Sequence, residues 1–147
     1  MSKKNTLIFS IAFLTLLLDH ITKFFVTRNL EMNESMPIIQ NVFHLTYITN
    51  TGTAFGLFKG VNLVFVAFSV AVVVAVLYSI KQIKENEKST QIAVGLLLGG
   101  ALGNLMDRLV HGFVIDFLDF RIWPVFNVAD SAISVSVVML VVLLWRK

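Results

Sequence analysis

Four stretches of the chain, residues 7–26, 61–80, 91–110 and 127–145, are dominated by apolar side chains over about the length that a bilayer-crossing helix needs. Stretch 61–80 carries no charge at all. Stretch 7–26 does: Asp19 and Lys23 continue the helical pattern of the preceding apolar run, and at spacing i, i+4 they share a face and pair in low dielectric. We read them as a structural ion pair near the helix end, with Lys23 snorkelling toward water. In stretch 91–110, Gly95, Gly99 and Gly103 recur in steps of four and predict a seam where helices approach closely. That seam leads to Asn104, Asp107 and Arg108, where Asp107 and Arg108 are expected to brace the third span as partners.

The segment 27–60 between the first two spans is mixed, and Pro37 excludes a continuous helix there. Residues 42–49 are β-branched and aromatic with partial alternation, which predicts a strand. The strand runs into Asn50-Thr51-Gly52-Thr53-Ala54-Phe55-Gly56. Turn residues of this kind allow an ordinary β-turn, while Phe55, Leu57 and Phe58 would be costly to leave in water and favour a loop lying on the membrane surface. The expected fold class is therefore an all-α membrane protein. It forms a single domain over 1–147 with four transmembrane helices and a small extracytoplasmic β-rich loop region between helices 1 and 2.

Composition supports this reading: 56% of the 147 residues are hydrophobic and only 14% are charged, against roughly 25% charged in average chains. The net charge of +3 changes the picture through its distribution. Four spans put both termini on one side together with Lys3, Lys4, Lys81, Lys84, Lys88, Arg146 and Lys147, against Arg28, Lys59 and Arg121 in the opposite loops. The positive-inside rule then makes both termini cytoplasmic. The basic residues form no stripe, so no nucleic-acid partner is expected. Lys3 and Lys4 before an apolar run would also suit a secretory signal peptide, but the small-residue cleavage site is missing. The chain has no cysteine, which excludes disulfides, thiolate metal sites and a Cys nucleophile, and its three histidines show no metal-ligand spacing.

The candidate chemistry lies in two aspartates, Asp116 and Asp130, fourteen residues apart in apolar surroundings where the last span begins. Taken singly, Asp130 reads as a helix cap and Asp116 as a loop residue. Given the topology, however, Asp19, Lys23, Asn104, Asp107, Arg108, Asp116 and Asp130 all come to the outer ends of the spans, and independent caps would have no reason to converge. Two carboxylates a few Å apart in low dielectric cannot both ionise cheaply, so they hold one proton between them and can activate a water. Paired intramembrane aspartates also suit a small proton-coupled transporter, and charges can serve a non-catalytic assembly factor by holding helices together. A transporter should carry polar groups through the full bilayer depth, whereas here the inner halves of the spans are nearly bare.

In order, Asp19-x-x-Thr22-Lys23, Asn50-x-Gly52-x-Ala54-Phe55-Gly56, the run 99–108 (GGALGNLMDR), Val114-Ile115-Asp116-Phe117 and Phe126-Asn127-Val128-Ala129-Asp130 resemble the motif blocks of bacterial lipoprotein signal peptidase (type II signal peptidase). The resemblance covers nearly the whole chain. It implies a four-helix aspartic peptidase of the bacterial inner membrane. Such an enzyme removes the signal peptide from a prolipoprotein whose lipobox cysteine carries diacylglyceryl, with the active site near the outer face and no cofactor or metal. Asp116 and Asp130 match the catalytic pair. Asp19, Lys23, Asn50, Gly52, Ala54, Asn104, Asp107, Arg108, Asn127 and Ala129 match supporting and substrate-contacting positions, and Phe55 is expected on a lid over the lipid-embedded substrate. Membrane lipid and cyclic peptide inhibitors such as globomycin are the other implied partners. His20 stands where Gln is common in that family, Thr49 where a basic residue is frequent, and the segment between the aspartates is short.

Overall fold

The first helix, α1 (Lys3–Asn29), buries polar as well as apolar residues and exposes large apolar ones. Its buried positions Ile8, Ala12, Thr15, Asp19, Lys23 and Val26 recur every three or four residues and form one stripe. Phe13, Leu14, Leu18, Phe24 and Phe25 on the other faces are exposed, which is the arrangement a lipid solvent permits and water does not. The computed structural model describes residues 2–52 and 61–146. In it α1 is followed by β1 (Ser35–Ile39), β2 (Phe43–Asn50), α2 (Val61–Ser79) with a 3₁₀ turn at Ile80–Gln82, α3 (Lys88–His111), β3 (Val114–Asp119) and α4 (Val128–Trp145). All four helices are long and apolar enough to cross a membrane. They extend the predicted spans by a few residues at α1 and α3, and α4 begins one residue after the predicted start, with Asn127 as its cap.

The central helix is α3, which packs against the other three. The glycine seam is what lets α1 approach. A Cβ at Gly95 would stand 2.8 Å from Ile8 O, one at Gly99 2.5 Å from Ala12 O, and one at Gly103 2.7 Å from Asp19 Oδ2. Gly100 does the same for α4, facing Ala129 O. Dense packing of this kind stands in for a hydrophobic driving force between helices that lipid cannot supply.

The strand predicted at 42–49 is β2, but it belongs to a larger sheet than the sequence reading allowed. The antiparallel order is β1-β2-β3, with Pro37 opposite His44 on the edge strand and Ile48 opposite Asp116 at the centre. Pro37 is tolerated because an edge strand leaves its missing N–H toward solvent. Asp116 lies in β3 and is 1% exposed, which corrects its placement in a loop. The sheet packs through Phe117 and partly buried Leu45 and Tyr47 on Val26 and Leu30 at the end of α1. At the opposite end Lys4 Nζ donates to Ile80 O (3.1 Å) and Ile83 O (2.8 Å). The N-terminus and the α2–α3 connection are therefore at one end of the bundle and the sheet at the other.

Candidate active site

Asn127 and Asp130 form a capping box at the start of α4: Asp130 N donates to Asn127 Oδ1 (2.8 Å) and Asn127 N donates to Asp130 Oδ2 (3.3 Å). Asp130 therefore serves the cap from the N3 position, while the cap itself is Asn127. The other Asp130 oxygen, Oδ1, accepts from Asn104 Nδ2 at 2.7 Å. Asn127 Nδ2 donates to Asp116 Oδ1 at 2.7 Å and to Asn104 Oδ1 at 3.1 Å. Asp116, Asn127, Asn104 and Asp130 therefore form one continuous hydrogen-bonded chain in which each aspartate is held by an asparagine amide.

The second oxygen of Asp116 accepts from Asn50 Nδ2 at 3.0 Å. Asn50 is itself oriented by its turn, since Gly52 N donates to Asn50 Oδ1 at 2.9 Å. Gly52 has φ +74 and sits hard against the Phe65 ring, so the turn requires a residue without a Cβ. Burial is the chief reason that the Asp116 carboxyl is pushed up from 3.8 to about 6; the nearby charge of Asp130 adds to it, while the hydrogen bonds from Asn50 and Asn127 oppose it.

Behind this chain Lys23 is almost fully buried, not snorkelling as expected. Its ammonium lies 2.7 Å from Asp19 Oδ2, 2.8 Å from Asp107 Oδ2 and 3.4 Å from Asn104 Oδ1. Asp107 is therefore the partner of Lys23 across two helices, which corrects its pairing with Arg108. Both carboxylates reach the backbone beside the candidate dyad: Asp19 Oδ1 accepts from Ala129 N (2.9 Å) and Asp107 Oδ2 accepts from Ile115 N (3.1 Å). One lysine thus anchors the residue preceding each aspartate. Ala129 is completely buried, with Gly100 and Gly103 against it, so a larger residue would force α3 and α4 apart.

Arg108 points elsewhere. Its Nη1 donates to Ser69 Oγ (3.4 Å) and Asn104 O (3.3 Å), and its guanidinium lies 5.5 Å from the centre of the Phe65 ring. Ser69 on α2 is a site contact that the sequence reading missed; its signal was a serine in the middle of an uncharged, largely apolar span. Arg108, Asn104 and Asp130 face a groove of about 400 Å³ between α2, α3 and α4 whose remaining walls are largely apolar, including Phe65, Phe68, Leu97 and Val137. Ala54 and Phe55, with the proposed lid, lie outside the described residues. All the other predicted residues, Asp19, Lys23, Asn50, Gly52, Asn104, Asp107, Arg108, Asp116, Asn127, Ala129 and Asp130, come together at the sheet end of the bundle.

The chain is similar to known proteins over most of its length. A family model described as signal peptidase (SPase) II matches residues 11–146. A lipoprotein signal peptidase of Halothermothrix orenii is 40% identical over 141 residues, covering 96% of this chain and 97% of the relative. One from Moorella thermoacetica is 45% identical over 130 residues, covering 88% and 87%. A solved structure of a bacterial membrane enzyme superposes with a TM-score of 0.85 at 30% identity, covering 93% of this chain and 91% of its own.

Proposed function

The chain belongs to the signal peptidase II family, and from that premise we propose that Asp116 and Asp130 are the catalytic dyad with which it cleaves its substrate. The enzyme is a multi-pass membrane peptidase that removes signal peptides from prolipoproteins. Family membership removes the ground for the transporter and assembly-factor alternatives. The observation that carries the dyad assignment is the asparagine chain joining the two carboxylates, with Asp116 buried and pushed up to about 6.

In the proposed mechanism the pair carries one proton. The ionised carboxylate takes a proton from water, whose oxygen attacks the scissile carbonyl carbon. The protonated carboxyl donates to the carbonyl oxygen, and a proton then passes to the leaving nitrogen as the C–N bond breaks. Asn104, Asn127 and Asn50 hold the carboxylates in place, while the Asp19–Lys23–Asp107 group acts as a brace. Cleavage occurs N-terminal to the diacylglyceryl-modified cysteine, whose acyl chains stay in lipid. The seven-to-three distribution of loop basic residues supports cytoplasmic termini and a site at the outer face of the bacterial inner membrane. Globomycin-type cyclic peptides are expected to occupy the dyad. The test is cleavage of a diacylated prolipoprotein by purified protein. Asp116→Asn, Asp130→Asn and the double variant should be equally inactive because the pair works as one unit. Additive losses, or full cleavage by either single variant, would refute the assignment.

A further inference from the structure

Asp119, the last residue of β3, is 5% exposed, and its carboxylate is held by donors from two directions. Arg121 N donates to Oδ1 at 2.8 Å, Arg121 Nη1 to Oδ2 at 2.9 Å and Thr46 Oγ1 to Oδ2 at 2.7 Å. None of these residues belongs to the chain of aspartates and asparagines described above. Thr46 has one hydroxyl proton and gives it to an acceptor-only carboxylate, so it accepts from Ser35 Oγ (2.8 Å), and Ser35 in turn accepts from His44 Nδ1 (3.0 Å). The Asp119 carboxylate thus gathers all three strands and the turn that follows them. That turn is forced. Arg121 has φ +66, a left-handed conformation that a residue with a Cβ keeps only where its surroundings over-determine it.

The turn brings the chain straight back onto β3. Phe117 N and Leu118 N donate to Phe126 O (2.9 and 2.7 Å), and Phe126 N donates to Leu118 O (3.1 Å). Asn127, whose amide holds Asp116 Oδ1 at 2.7 Å and whose side chain caps the helix bearing Asp130, follows Phe126 directly. Building on the reading of Asp116 and Asp130 as the dyad, we propose that Asp119 is a positioning residue for cleavage: with Arg121 N and Thr46 it forms a latch that closes the turn after β3 and, through Phe126 and Asn127, sets the spacing of the two aspartates. Asp19 holds Ala129 N from the bundle side. The latch holds the sheet side, where Asn127 has to face Asp116 and Asn104 together. The β2–β3 register shifts between Leu45 and Ile48, between the latch and Asp116, and such irregularities beside active sites re-aim a side chain; here the side chain is Thr46. A turn that merely joined β3 to α4 would need no buried carboxylate. The Arg121 side chain is 48% exposed, so its ion pair contributes little, and the work of the Asp119 oxygens is to hold the reversal.

The variants that test this are made in the full chain and assayed on a diacylated prolipoprotein. Asp119→Ala removes the latch; since a displacement of about 1 Å can cost about 100-fold, kcat should fall by about 10–100-fold while KM stays within about twofold. Close carboxylates hold their apparent pKa values apart, so a wider spacing should narrow the bell of kcat/KM against pH, its basic limb moving toward the acidic one. Hydrogen exchange at the Leu118 and Phe126 amides should quicken, which reads the latch independently of activity. Asp119→Asn keeps an acceptor for Arg121 N and a partner for Thr46, loses only an exposed ion pair, and should stay within about fivefold of the wild type. Should Asp119→Ala fail to fold, Thr46→Val removes a single bond of the latch and should show the same changes to a smaller degree. A wild-type kcat and bell in the folded latch variant, a loss confined to KM, unchanged exchange at Leu118 and Phe126, or an Asp119→Asn variant as impaired as Asp119→Ala would each overturn the latch alone. Cleavage by Asp116→Asn would overturn the dyad reading and the positioning role with it.

Discussion

Replacing Asp116 by Asn should make the protein more stable at pH 8 than at pH 4 relative to the wild type, while abolishing cleavage at both. Asp116 is 1% exposed, and its carboxyl is pushed up from 3.8 to about 6, first by burial and then by the charge of Asp130. Between those values the folded state binds a proton that the unfolded chain has released. Wild-type stability from this group is therefore fully present below about pH 4 and is lost as pH rises through about 6. The difference corresponds to about 3 kcal/mol. Asn carries no charge and loses nothing over that range. It does present one acceptor where Asp116 offers two to Asn127 and Asn50, a mismatch costing about 1–3 kcal/mol, but that offset varies little with pH. Variant-minus-wild-type stability should therefore rise by about 3 kcal/mol between pH 4 and pH 8. At about 2–4 °C per kcal/mol for a chain of this size, the Tm difference should move by about 6–12 °C. Thermal unfolding of both proteins in one detergent at intervals from pH 4 to pH 8 measures it. A Tm difference that stays constant with pH, or falls as pH rises, would refute the claim that Asp116 is ionised at a cost.

Lys23→Met leaves Asp19 and Asp107 buried without their shared cation and should cost about 3–5 kcal/mol, read as a drop in Tm. Asp107→Asn keeps the Lys23–Asp19 pair and an acceptor for Ile115 N, so its loss should be nearer about 1 kcal/mol; equal losses for the two variants would contradict the pairing described. Gly103→Ala pushes a methyl to within 2.7 Å of Asp19 Oδ2 and should destabilise by about 1–3 kcal/mol, with reduced cleavage at temperatures where it remains folded. For topology, Ser35→Cys and Lys84→Cys in the cysteine-free chain can be compared in intact cells with an impermeant thiol reagent. Position 35 should label and position 84 should not, and the opposite result would invert the orientation.

The spans, the i, i+4 pairing of Asp19 with Lys23 and the glycine seam were all legible in the sequence, because each depends on spacing along a single helix. The residues proposed for the site were picked out through ordered motif blocks rather than periodicity, and those among the described residues lie together at the sheet end of the bundle; Ser69 carried no motif, and Ala54 and Phe55 fall outside the described residues. Three features required the tertiary structure. β3 escaped notice because its run VIDFLD is buried along almost its whole length and so lacks the alternation of a half-exposed strand, and it is a strand because β2, more than sixty residues earlier, pairs with it. The choice of Lys23 over Arg108 as the partner of Asp107 depends on how α1 and α3 are rotated about their axes. Sequence spacing within α3 favours its nearest charged neighbour, whereas the close approach permitted by Gly99 and Gly103 brings the ammonium of another helix to 2.8 Å. The same approach is why Lys23 does not snorkel: two carboxylates and an amide oxygen meet its charge at depth, so leaving the protein for water would break more than it relieves.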